Sequence, residues 1–473
     1  MKLRELIKSN SEFAEIEIKG ITSDSREVKD GYAFVCIKGP VSDGHKFAQS
    51  AVEKGAAVVI AERDTGVKAQ ILVKDSVAVF SDMCAIWFSR PAESLKIIGV
   101  TGTNGKTSVT YMIKKILEAQ GEKVGLVGTI QNMIGDKVLP AKNTTPGIFE
   151  INSLFAEMRD SGCTYAVMEV SSHALDQRRI IGIDFEIAIF TNLTQDHLDY
   201  HITMENYLEA KKKLFRMCKT AILNSDDESS AKIAEGLSCK VVTYCAGNNG
   251  TYNAKAVKYR PASVEYELLS PNSIDHIKVN TGGKFTVYNS LCAISCAAEL
   301  GFPINESAKA LATLEGVKGR AEVVECDRDF TVIIDYAHTP DGLKNILTTF
   351  KECECNRLTV VFGCGGDRDK TKRPIMGSIA ARYADNVIVT SDNPRSEDPI
   401  AIIDDILVGM DGSVTPYKVI ENRVEAIKYA VATARKDDII VLAGKGHETY
   451  QILKDETIHL DEREIVAEAL AES

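Results

Sequence analysis

The sequence lacks the features that mark several large classes of protein. No uninterrupted apolar run approaches the roughly 18 residues of a membrane span. The opening stretch, MKLRELIKSNSEF, lacks the apolar core of a signal peptide. Lysine and arginine (56) are fewer than aspartate and glutamate (67), so no basic excess indicates nucleic acid or an anionic membrane as a partner. We therefore expect a cytoplasmic protein that binds neither nucleic acid nor membranes.

The cysteines indicate neither a zinc site nor a disulfide framework. The chain has 12 of them, and the pairs Cys292/Cys296 and Cys353/Cys355 stand without a second pair at zinc-ligand spacing. In a reducing compartment such residues are buried free thiols. The sequence also has no short repeat and no low-complexity tract. Because nothing in it indicates an oligomer, we expect a monomer.

The remaining composition is that of a globular protein. With 473 residues, 44% of them apolar and 26% charged, the chain is long enough for about three domains. Short apolar runs alternate with helical patterns, which is typical of parallel α/β sheets. We predict an α/β protein with a small first domain over residues 1–95, a doubly wound, P-loop-like domain over 96–321 and a Rossmann-like domain over 322–473. The predicted strands are 32–37, 56–62, 95–100, 165–170, 186–193, 330–336, 358–366, 386–390 and 438–444.

A phosphate-binding loop follows the strand that ends at Val100. In VTGTNGKTS, Gly102 and Gly105 allow the backbone to approach a phosphate, Lys106 supplies a cation and Thr107 a hydroxyl for Mg²⁺. The helix that begins here directs its N-terminus at the anion. The spacing departs from the usual G-x4-G-K-[ST] pattern, because Val100 stands where the first glycine is expected.

Two polar residues follow neighbouring predicted strands. Glu169 lies near the end of one strand, and His197 lies in the loop after the next. A carboxylate and an imidazole at adjacent strand ends can share a divalent metal with ATP phosphates. Taken singly, a strand-end acid and a lone histidine are more often structural than metal-binding.

Lys211 lies on the apolar face of a predicted helix over 205–218. It is four residues after Tyr207 and four before Phe215, so all three share that face. A lysine in this position either extends its ammonium to water or loses its charge. Lys212 and Lys213 fit a solvated face.

These stretches carry a family resemblance. GTNGKT after an apolar strand resembles the ATP-binding loop of the Mur ligases, which build the peptide of bacterial cell-wall precursors, and MEVSSHALDQRR and FTNLTQDHLDYH resemble further motifs of that family. The loop alone is also similar to that of folylpolyglutamate synthase. The resemblance implies an ATP-dependent ligase of an acid and an amino acid. ATP would phosphorylate a carboxylate, and an amine would attack the acyl phosphate to give an amide, ADP and phosphate.

The same resemblance implies ATP and Mg²⁺ as cofactors. It implies Lys106, Glu169, His197 and Lys211 as catalytic residues. It places ATP on Gly102, Thr103, Asn104, Gly105, Lys106, Thr107, Ser108, Asn289, Arg320 and Asp335. The implied metal ligands are Thr107, Glu169, His197 and Lys211, the last carbamylated by CO2 to N6-carboxylysine.

The resemblance also implies two substrates. A UDP-N-acetylmuramoyl-L-Ala-D-Glu molecule would bind Ser25, Asn143, Thr144, Thr145, Ser171, Gln177 and Arg179. Without the resemblance, each of these is an ordinary turn or cap residue. The incoming amino acid would bind residues at the ends of three strands of the last domain: Arg368, Asp392, Asn393, Pro394, Arg395, Gly444 and Glu448.

The charges of this last group select the amino acid. Two arginines suit two carboxylates, and Asp392 and Glu448 suit an ammonium group. Meso-diaminopimelate has two carboxylates and two amines, whereas lysine has one carboxylate. The stretch DNPR, with Arg395, resembles diaminopimelate-adding Mur ligases. Glu397 and Asp398 fit better as first-turn acids of a helix that begins near Pro399.

Three other functions stay open at this point. The chain could add lysine instead of diaminopimelate. A folylpolyglutamate-type ligase is disfavoured by the NTTPG and DNPR stretches. A catalytically silent nucleotide-binding protein is disfavoured because Lys106, Thr107, Glu169, His197 and Lys211 are all present.

Overall fold

The computed structural model describes residues 1–8, 12–39 and 42–472. Their strands form sheets of four, eleven and six strands and one two-stranded ribbon. The four-stranded sheet takes its strands from residues 20–72, the eleven-stranded sheet from 96–279 and the six-stranded sheet from 322–443. The predicted α/β fold class is confirmed. No helix within the described ranges is long and apolar enough to cross a membrane.

The first sheet is parallel throughout and small. Its elements are α1 Leu3–Leu6, β1 Gly20–Thr22, β2 Tyr32–Val35, α2 Ala48–Glu53, β3 Val58–Ala61, β4 Gln70–Leu72 and α3 Ser76–Trp87. The helical segment between β2 and β3 begins as a 3-10 turn at Gly44–Phe47, which Asp43 caps by accepting from the backbone N–H of His45. Side chains of both faces are buried, with Phe34 against α2 and Phe80 against α1.

The second sheet has a parallel centre with antiparallel strands at both edges. Its elements, in chain order, are β5 Lys96–Thr101, α4 Lys106–Ala119, β6 Val124–Val127, β7 Gln131–Ile134, β8 Lys137–Pro140, α5 Ile148–Asp160, β9 Tyr165–Glu169, α6 Ser172–Asp176, β10 Phe185–Phe190, α7 Leu198–His201, α8 Met204–Phe215, β11 Cys218–Asn224, α9 Ser229–Ala234, β12 Lys240–Cys245, β13 Tyr252–Arg260, β14 Ser263–Leu269, β15 Ile274–Val279, α10 Lys284–Glu299 and α11 Ile304–Ala312. The strand order is β15-β14-β13-β12-β11-β10-β5-β9-β6-β7-β8.

The order of the central strands positions the site. β5 lies between β9 and β10 and is parallel to both, so the loops after these three strands meet at one edge. Helices α4 and α10 cover one face of the sheet and α5 and α8 the other. The antiparallel strands β13–β15 were not predicted, because their apolar residues alternate with polar ones instead of forming the buried runs of a parallel strand.

The third sheet is parallel except at β16. Its elements and those of the adjoining ribbon are β16 Glu322–Val324, β17 Thr331–Asp335, α12 Pro340–Lys351, β18 Leu358–Phe362, α13 Lys372–Tyr383, β19 Asn386–Val389, α14 Pro399–Val408, β20 Tyr417–Val419, α15 Arg423–Ala432, β21 Ile439–Ala443, β22 Tyr450–Ile452, β23 Thr457–His459 and α16 Glu462–Glu472. The order β16-β17-β21-β18-β19-β20 places the four strands predicted here side by side.

The start of α14 corrects one prediction. Asp398 is the N-cap, accepting from the backbone N–H of Ile400 at 2.9 Å, and Pro399 is the first helical residue. Glu397 lies before the cap and is not a first-turn acid. It pairs with the buried guanidinium of Arg373, with Nη2–Oε1 at 2.9 Å, and accepts from the backbone N–H of Asp367. A buried guanidinium needs a carboxylate partner more than a helix N-terminus does.

Candidate active site

The phosphate loop connects β5 to α4 and has no room for side chains at its two glycines. Gly102 has φ +148°, and a Cβ there would lie 1.9 Å from Thr191 Oγ1. Gly105, with φ +87°, precedes α4, and its Cβ would lie 2.6 Å from Asn289 Oδ1. Glycine is therefore required at both positions.

Hydrogen bonds fix the remaining loop residues. The backbone N–H groups of Thr103 and Asn104 donate to the carbonyl and side chain of Asn192, both at 2.9 Å. Lys106 Nζ folds back over the loop and donates to the carbonyls of Gly102 (2.9 Å) and Thr103 (2.8 Å). Burial lowers the pKa of Lys106. The loop thus combines an ammonium with the N-terminus of a 14-residue helix, a suitable site for an anion.

Glu169 ends β9 and is almost fully buried. Its carboxylate accepts from Thr107 Oγ1 at 3.0 Å and from the backbone N–H and hydroxyl of Thr129 at 2.8 and 3.0 Å. Thr107 also accepts from Arg320 Nη2 at 3.3 Å. The structure therefore brings Thr107 and Glu169 together, as the sequence predicts.

Lys211 lies in the core under the phosphate loop. It is 1% exposed, and its Nζ donates to the carbonyl of Gly102 at 2.8 Å and lies 4.4 Å from the ring centroid of Tyr207. Burial and the neighbouring charge of Lys106 lower its pKa far below the ordinary value. The predicted apolar-face position is confirmed. By contrast, Lys212 and Lys213 pair with Glu209 and Asp176.

His197 lies in the loop after β10, with φ +53°. Its Nε2 is 3.5 Å from Asp196 Oδ2, and its ring centroid is 4.8 Å from that of His173 and 6.1 Å from that of Tyr207. Burial lowers its pKa, so the imidazole is neutral at neutral pH. Its side chain is nearly half exposed and has no direct bond to Glu169 in the described structure. The expectation that Glu169 and His197 follow adjacent strands is wrong, because β5 lies between β9 and β10.

The candidate metal ligands suit a hard cation only in part. They include the oxygens of Thr107 and Glu169, which Mg²⁺ prefers. Across residues 1–8, 12–39 and 42–472, no group of three or more His, Cys, Asp or Glu side chains could hold a metal ion. An ion here would therefore need further ligands, from phosphates, water or a modified side chain.

Three of the predicted ATP residues share a small pocket beside α4. Ser108, Asn289 and Arg320 line it with Phe285 and Val317. Arg320 lies over the ring of Tyr336, 4.9 Å from its centroid, and its Nε is buried without a hydrogen-bond partner among the described residues.

Asp335 ends β17 outside that pocket. Its carboxylate accepts from the backbone N–H of Ala321 at 2.7 Å, which supports the turn after Arg320. Burial raises the pKa of Asp335, and the charge of Arg320 opposes that shift.

Asp341, which the sequence did not indicate, connects the third sheet to the phosphate loop. Its Oδ2 accepts from Asn104 Nδ2 at 3.0 Å and from Thr194 Oγ1 at 2.6 Å. Thr339 caps α12 instead, which leaves the Asp341 carboxylate available for the loop. The acid in the first turn of α12 is the one signal that the sequence offered.

The residues predicted for the first substrate form a connected group beside Glu169. Thr145 Oγ1 donates to the carbonyl of Glu169 and accepts from the backbone N–H of Ser171, both at 2.9 Å. Arg179 donates to the carbonyl of Thr145 at 2.9 Å and to Gln177 Oε1.

The other members of that set lie at the margin or apart. Thr144 accepts from Thr129 Oγ1 at 3.0 Å, and Asn143 is exposed beside it. Ser25 lies after β1 of the first sheet, where its carbonyl accepts from Lys54 Nζ.

The third sheet gathers a second polar group at the ends of β18, β19 and β21. Asn393 Nδ2 donates to Glu448 Oε2 at 3.0 Å. A Cβ on Gly444 would lie 2.9 Å from Asp392 Oδ2. Between them lies Lys445, fully buried, which the sequence did not indicate.

The two predicted arginines differ in position. Arg395 Nη1 donates to the carbonyls of Gly366 (2.8 Å) and Asn393 (3.4 Å), next to the carbonyl of Pro394, which approaches Gly366 closely. Arg368 is exposed and donates to its neighbour's carbonyl, so the structure does not bring it into contact with Asp392 or Glu448.

Known proteins match this chain along most of its length. Residues 17–86 match the model "Mur ligase family, catalytic domain", residues 100–297 "Mur ligase middle domain" and residues 319–446 "Mur ligase, glutamate ligase domain". The UDP-N-acetylmuramoyl-L-alanyl-D-glutamate--2,6-diaminopimelate ligase of Caldanaerobacter subterraneus subsp. tengcongensis is 50% identical over 97% of this chain and 96% of its own. The protein of the same name from Bacillus velezensis is 45% identical over 98% and 96%.

Solved structures give the same relationship. The structure of a UDP-N-acetylmuramoyl-L-alanyl-D-glutamate--2,6-diaminopimelate ligase has a TM-score of 0.76 at 34% identity. The match covers 100% of this chain and 99% of that one. MurF ligase from Thermotoga maritima in complex with ADP has a TM-score of 0.64 at 19% identity over 97% and 98%, a likeness of fold.

Proposed function

Because this chain belongs to the Mur ligase family, we propose that it joins meso-2,6-diaminopimelate to UDP-N-acetylmuramoyl-L-alanyl-D-glutamate with ATP in peptidoglycan precursor synthesis. Relatives that carry this activity in their names match nearly the whole chain. The observation that carries the proposal is the meeting of Lys106, the Thr107–Glu169 pair and the buried Lys211 at one glycine loop. Such a loop, with a cation and a hydroxyl beside a carboxylate, suits phosphoryl transfer.

We assign the chemistry as follows. ATP binds with its phosphates against Lys106 and the N-terminus of α4, while Asn289, Ser108 and Arg320 contact the nucleotide. The γ-phosphoryl group passes to the substrate carboxylate, and ADP leaves. The amine of the amino acid then attacks the acyl carbon and the C–N bond forms. The C–O bond to phosphate breaks, phosphate departs, and the nitrogen releases a proton to solvent. Lys106 offsets negative charge on the transferred group.

Mg²⁺ is the cofactor that the family implies, and it would neutralise the phosphates and orient the γ-phosphoryl group. Thr107, Glu169 and His197 are the residues proposed to hold it. The neutral imidazole of His197 has a lone pair for a metal.

The fourth ligand in this proposal is Lys211 as a carbamate. The neutral amine attacks CO2, a proton leaves, and a cation becomes a carboxylate-like anion. Its burial and depressed pKa support this step, since only the unprotonated amine is nucleophilic. The product would place a negative charge beside the ammonium of Lys106.

Two substrate sites complete the proposal. Asn143, Thr144, Thr145, Ser171, Gln177 and Arg179 would bind the sugar-linked dipeptide and Ser25 its uridine. Asp392, Asn393, Pro394, Arg395, Gly444 and Glu448 would bind diaminopimelate, with Arg368 moving toward the substrate from its exposed position. The connected hydrogen bonds around Thr145 and Asn393 support both groups.

The remaining proposals concern the domain bounds, the oligomeric state and the location of the protein in the cell. We divide the chain into a substrate domain (1–95), an ATP domain (96–321) and an amino-acid domain (322–473), each containing one of the three larger sheets. We propose a monomer that works in the cytoplasm, where ATP is available and where all 12 cysteines remain free thiols.

A single assay tests the proposed function. The protein is incubated with ATP, Mg²⁺, bicarbonate and the UDP-muramoyl-dipeptide, and then with diaminopimelate, lysine or a folate plus glutamate. We expect amide and ADP with diaminopimelate. Efficient use of lysine without diaminopimelate, or release of ADP with no amide in any mixture, would overturn the proposal.

A further inference from the structure

We infer that Lys445 is a positioning residue of the amino-acid pocket: it fixes Asn393 and Glu448 in the orientation that receives the substrate's ammonium group. The inference rests on the proposed function, because the pocket is the one that would hold diaminopimelate. Lys445 is the second residue after β21 and is 0% exposed.

The ammonium of Lys445 bridges two loops. Its Nζ lies 3.1 Å from Asn393 Oδ1, 3.1 Å from Glu448 Oε2 and 3.5 Å from Asp392 Oδ1. Asp392 and Asn393 follow β19, whereas Glu448 follows β21. One lysine therefore holds together the parts of the pocket that come from different strands.

This bridge determines which atoms remain for a ligand. Asn393 Oδ1 accepts from Lys445 and from the backbone N–H of Ile452 (2.9 Å), so its Nδ2 is turned toward Glu448 Oε2. Glu448 Oε2 is thus bound twice, while Oε1 has the longer contact, 3.5 Å to the Tyr336 hydroxyl. Oε1 is the oxygen best able to accept from an ammonium.

A second observation also indicates a missing donor. Asp392 Oδ1 is buried, and apart from its 3.5 Å ion pair with Lys445 it has no hydrogen-bond partner in the described part of the chain. Buried polar atoms are rarely left unsatisfied. A ligand N–H beside Lys445 would satisfy it.

The charges of the pocket fit one further cation. Asp392 and Glu448 contribute two negative charges, and Lys445 one positive charge. Of the nearby guanidinium groups, Arg423 is paired with Glu462 at 2.7 Å, and Arg395 donates to the carbonyl of Asn393 at 3.4 Å. Since Arg395 is assigned to the distal carboxylate of the substrate, the remaining charge of about minus one matches a single substrate ammonium.

Removal of Lys445 would leave two carboxylates close together in a buried site, which favours protonation of one of them. The other titratable groups near the pocket are Tyr336, Tyr450, His338, His447 and Cys364. Burial raises the pKa of the two tyrosine hydroxyls and of the Cys364 thiol, and it lowers the pKa of both imidazoles, which are therefore neutral at neutral pH and above.

The test compares Lys445→Met with wild type and with Lys445→Arg. We expect Lys445→Met to raise the KM for diaminopimelate about tenfold or more at neutral pH, as for a lost charged hydrogen bond. That KM should fall as pH rises from about 6 to about 9, because the shared proton leaves. Wild type should show a flat profile, and Lys445→Arg should recover part of the loss. The KM values for ATP and the UDP substrate should stay within about twofold. Lys428→Met, which removes a partly exposed lysine of α15 that pairs with Glu472, is the matched control.

The outcomes separate the two proposals. If wild type makes no amide with diaminopimelate, the proposed function fails. If wild type is active and Lys445→Met has an unchanged KM, or a raised KM without pH dependence, this inference alone is overturned. Should Lys445→Met not fold, the double variant Lys445→Met/Glu448→Gln removes the unpaired charge. It should have a raised, pH-independent KM, and a KM equal to that of wild type would contradict the inference.

Discussion

Lys211 Nζ donates a 2.8 Å hydrogen bond to the carbonyl of Gly102, the same carbonyl that accepts from Lys106 at 2.9 Å. Two ammonium-bearing side chains, both buried at their ends, therefore converge on one backbone oxygen. Their mutual repulsion adds to the desolvation of Lys211 and favours its neutral form.

Lys211→Ala should lower kcat by a factor on the order of 10² to 10³, the loss typical of one electrostatic contact in a transition state. A short carboxylate such as formate should restore part of the activity by taking the place of the carbamate. Wild type in ¹³C-bicarbonate should give a carbamate signal that grows with pH, because the reaction releases a proton. Lys212→Ala, on the same helix but paired with Glu209, should remain active. A full rate without CO2 would contradict the carbamate.

Glu169→Gln should weaken activation by Mg²⁺ and lower the stability of the fold. The carboxylate accepts three hydrogen bonds, and an amide nitrogen cannot accept. We expect a loss of about 1–3 kcal/mol in the free energy of unfolding and a higher Mg²⁺ concentration for half-maximal rate. Denaturant unfolding and a Mg²⁺ titration measure these effects. Glu186→Gln, an acid of β10 that pairs with Lys219, is the control and should change neither.

Arg395→Ala should act on diaminopimelate more than on lysine. Loss of a charged hydrogen bond to the distal carboxylate is expected to reduce kcat/KM for diaminopimelate by an amount equivalent to about 1.5–3 kcal/mol. Lysine has no such carboxylate, so the smaller kcat/KM measured with lysine should change little. Arg382→Ala, which removes a guanidinium over Tyr383 on α13, serves as the control. Equal losses with both amino acids would show that Arg395 acts through the carbonyl of Gly366 instead.

Glu397→Gln should destabilise the third sheet in a pH-dependent way. The pairing with Arg373 lowers the pKa of Glu397 to about 2. A depressed folded pKa gives stability that is present above the ordinary value of 4.5 and is lost as pH falls toward 2. With allowance for solvent screening, the difference at neutral pH should be about 1–2 kcal/mol.

Unfolding of the two proteins between about pH 7 and pH 3 should show this difference shrink as acid is added. Glu205→Gln, an exposed acid in the first turn of α8, should give a constant difference near zero. A Glu397→Gln difference that does not depend on pH would mean that packing, and not charge, is lost.

The sequence predicts those residues whose position follows from local periodicity. Lys211 was predicted on the apolar face from its spacing to Tyr207 and Phe215, and it is buried there. Thr107 and Glu169 follow adjacent parallel strands, so their contact follows from strand order. In each case, the residues that lie next to each other come from the same helix or from the same edge of one sheet.

The residues that the sequence missed or misassigned depend on distant partners. Asn104 and Asp341 are 237 positions apart, and Lys445 and Asn393 are 52 apart. Glu397 was assigned to its helix because Arg373 lies on another element. Such contacts follow from how loops of different strands meet, which no local pattern contains.

The hydrogen bonds that Asp341 accepts from Asn104 and Thr194 have a thermodynamic consequence. Asn104 belongs to the phosphate loop. Asp341 lies in the first turn of α12, the helix that follows β17 in the third sheet, which would hold the amino acid. A ligand that strengthens or weakens these hydrogen bonds changes the affinity of the other site for its own ligand, and thermodynamic linkage makes the effect reciprocal. Under the proposed function, whatever factor ATP exerts on diaminopimelate binding, diaminopimelate must exert on ATP binding.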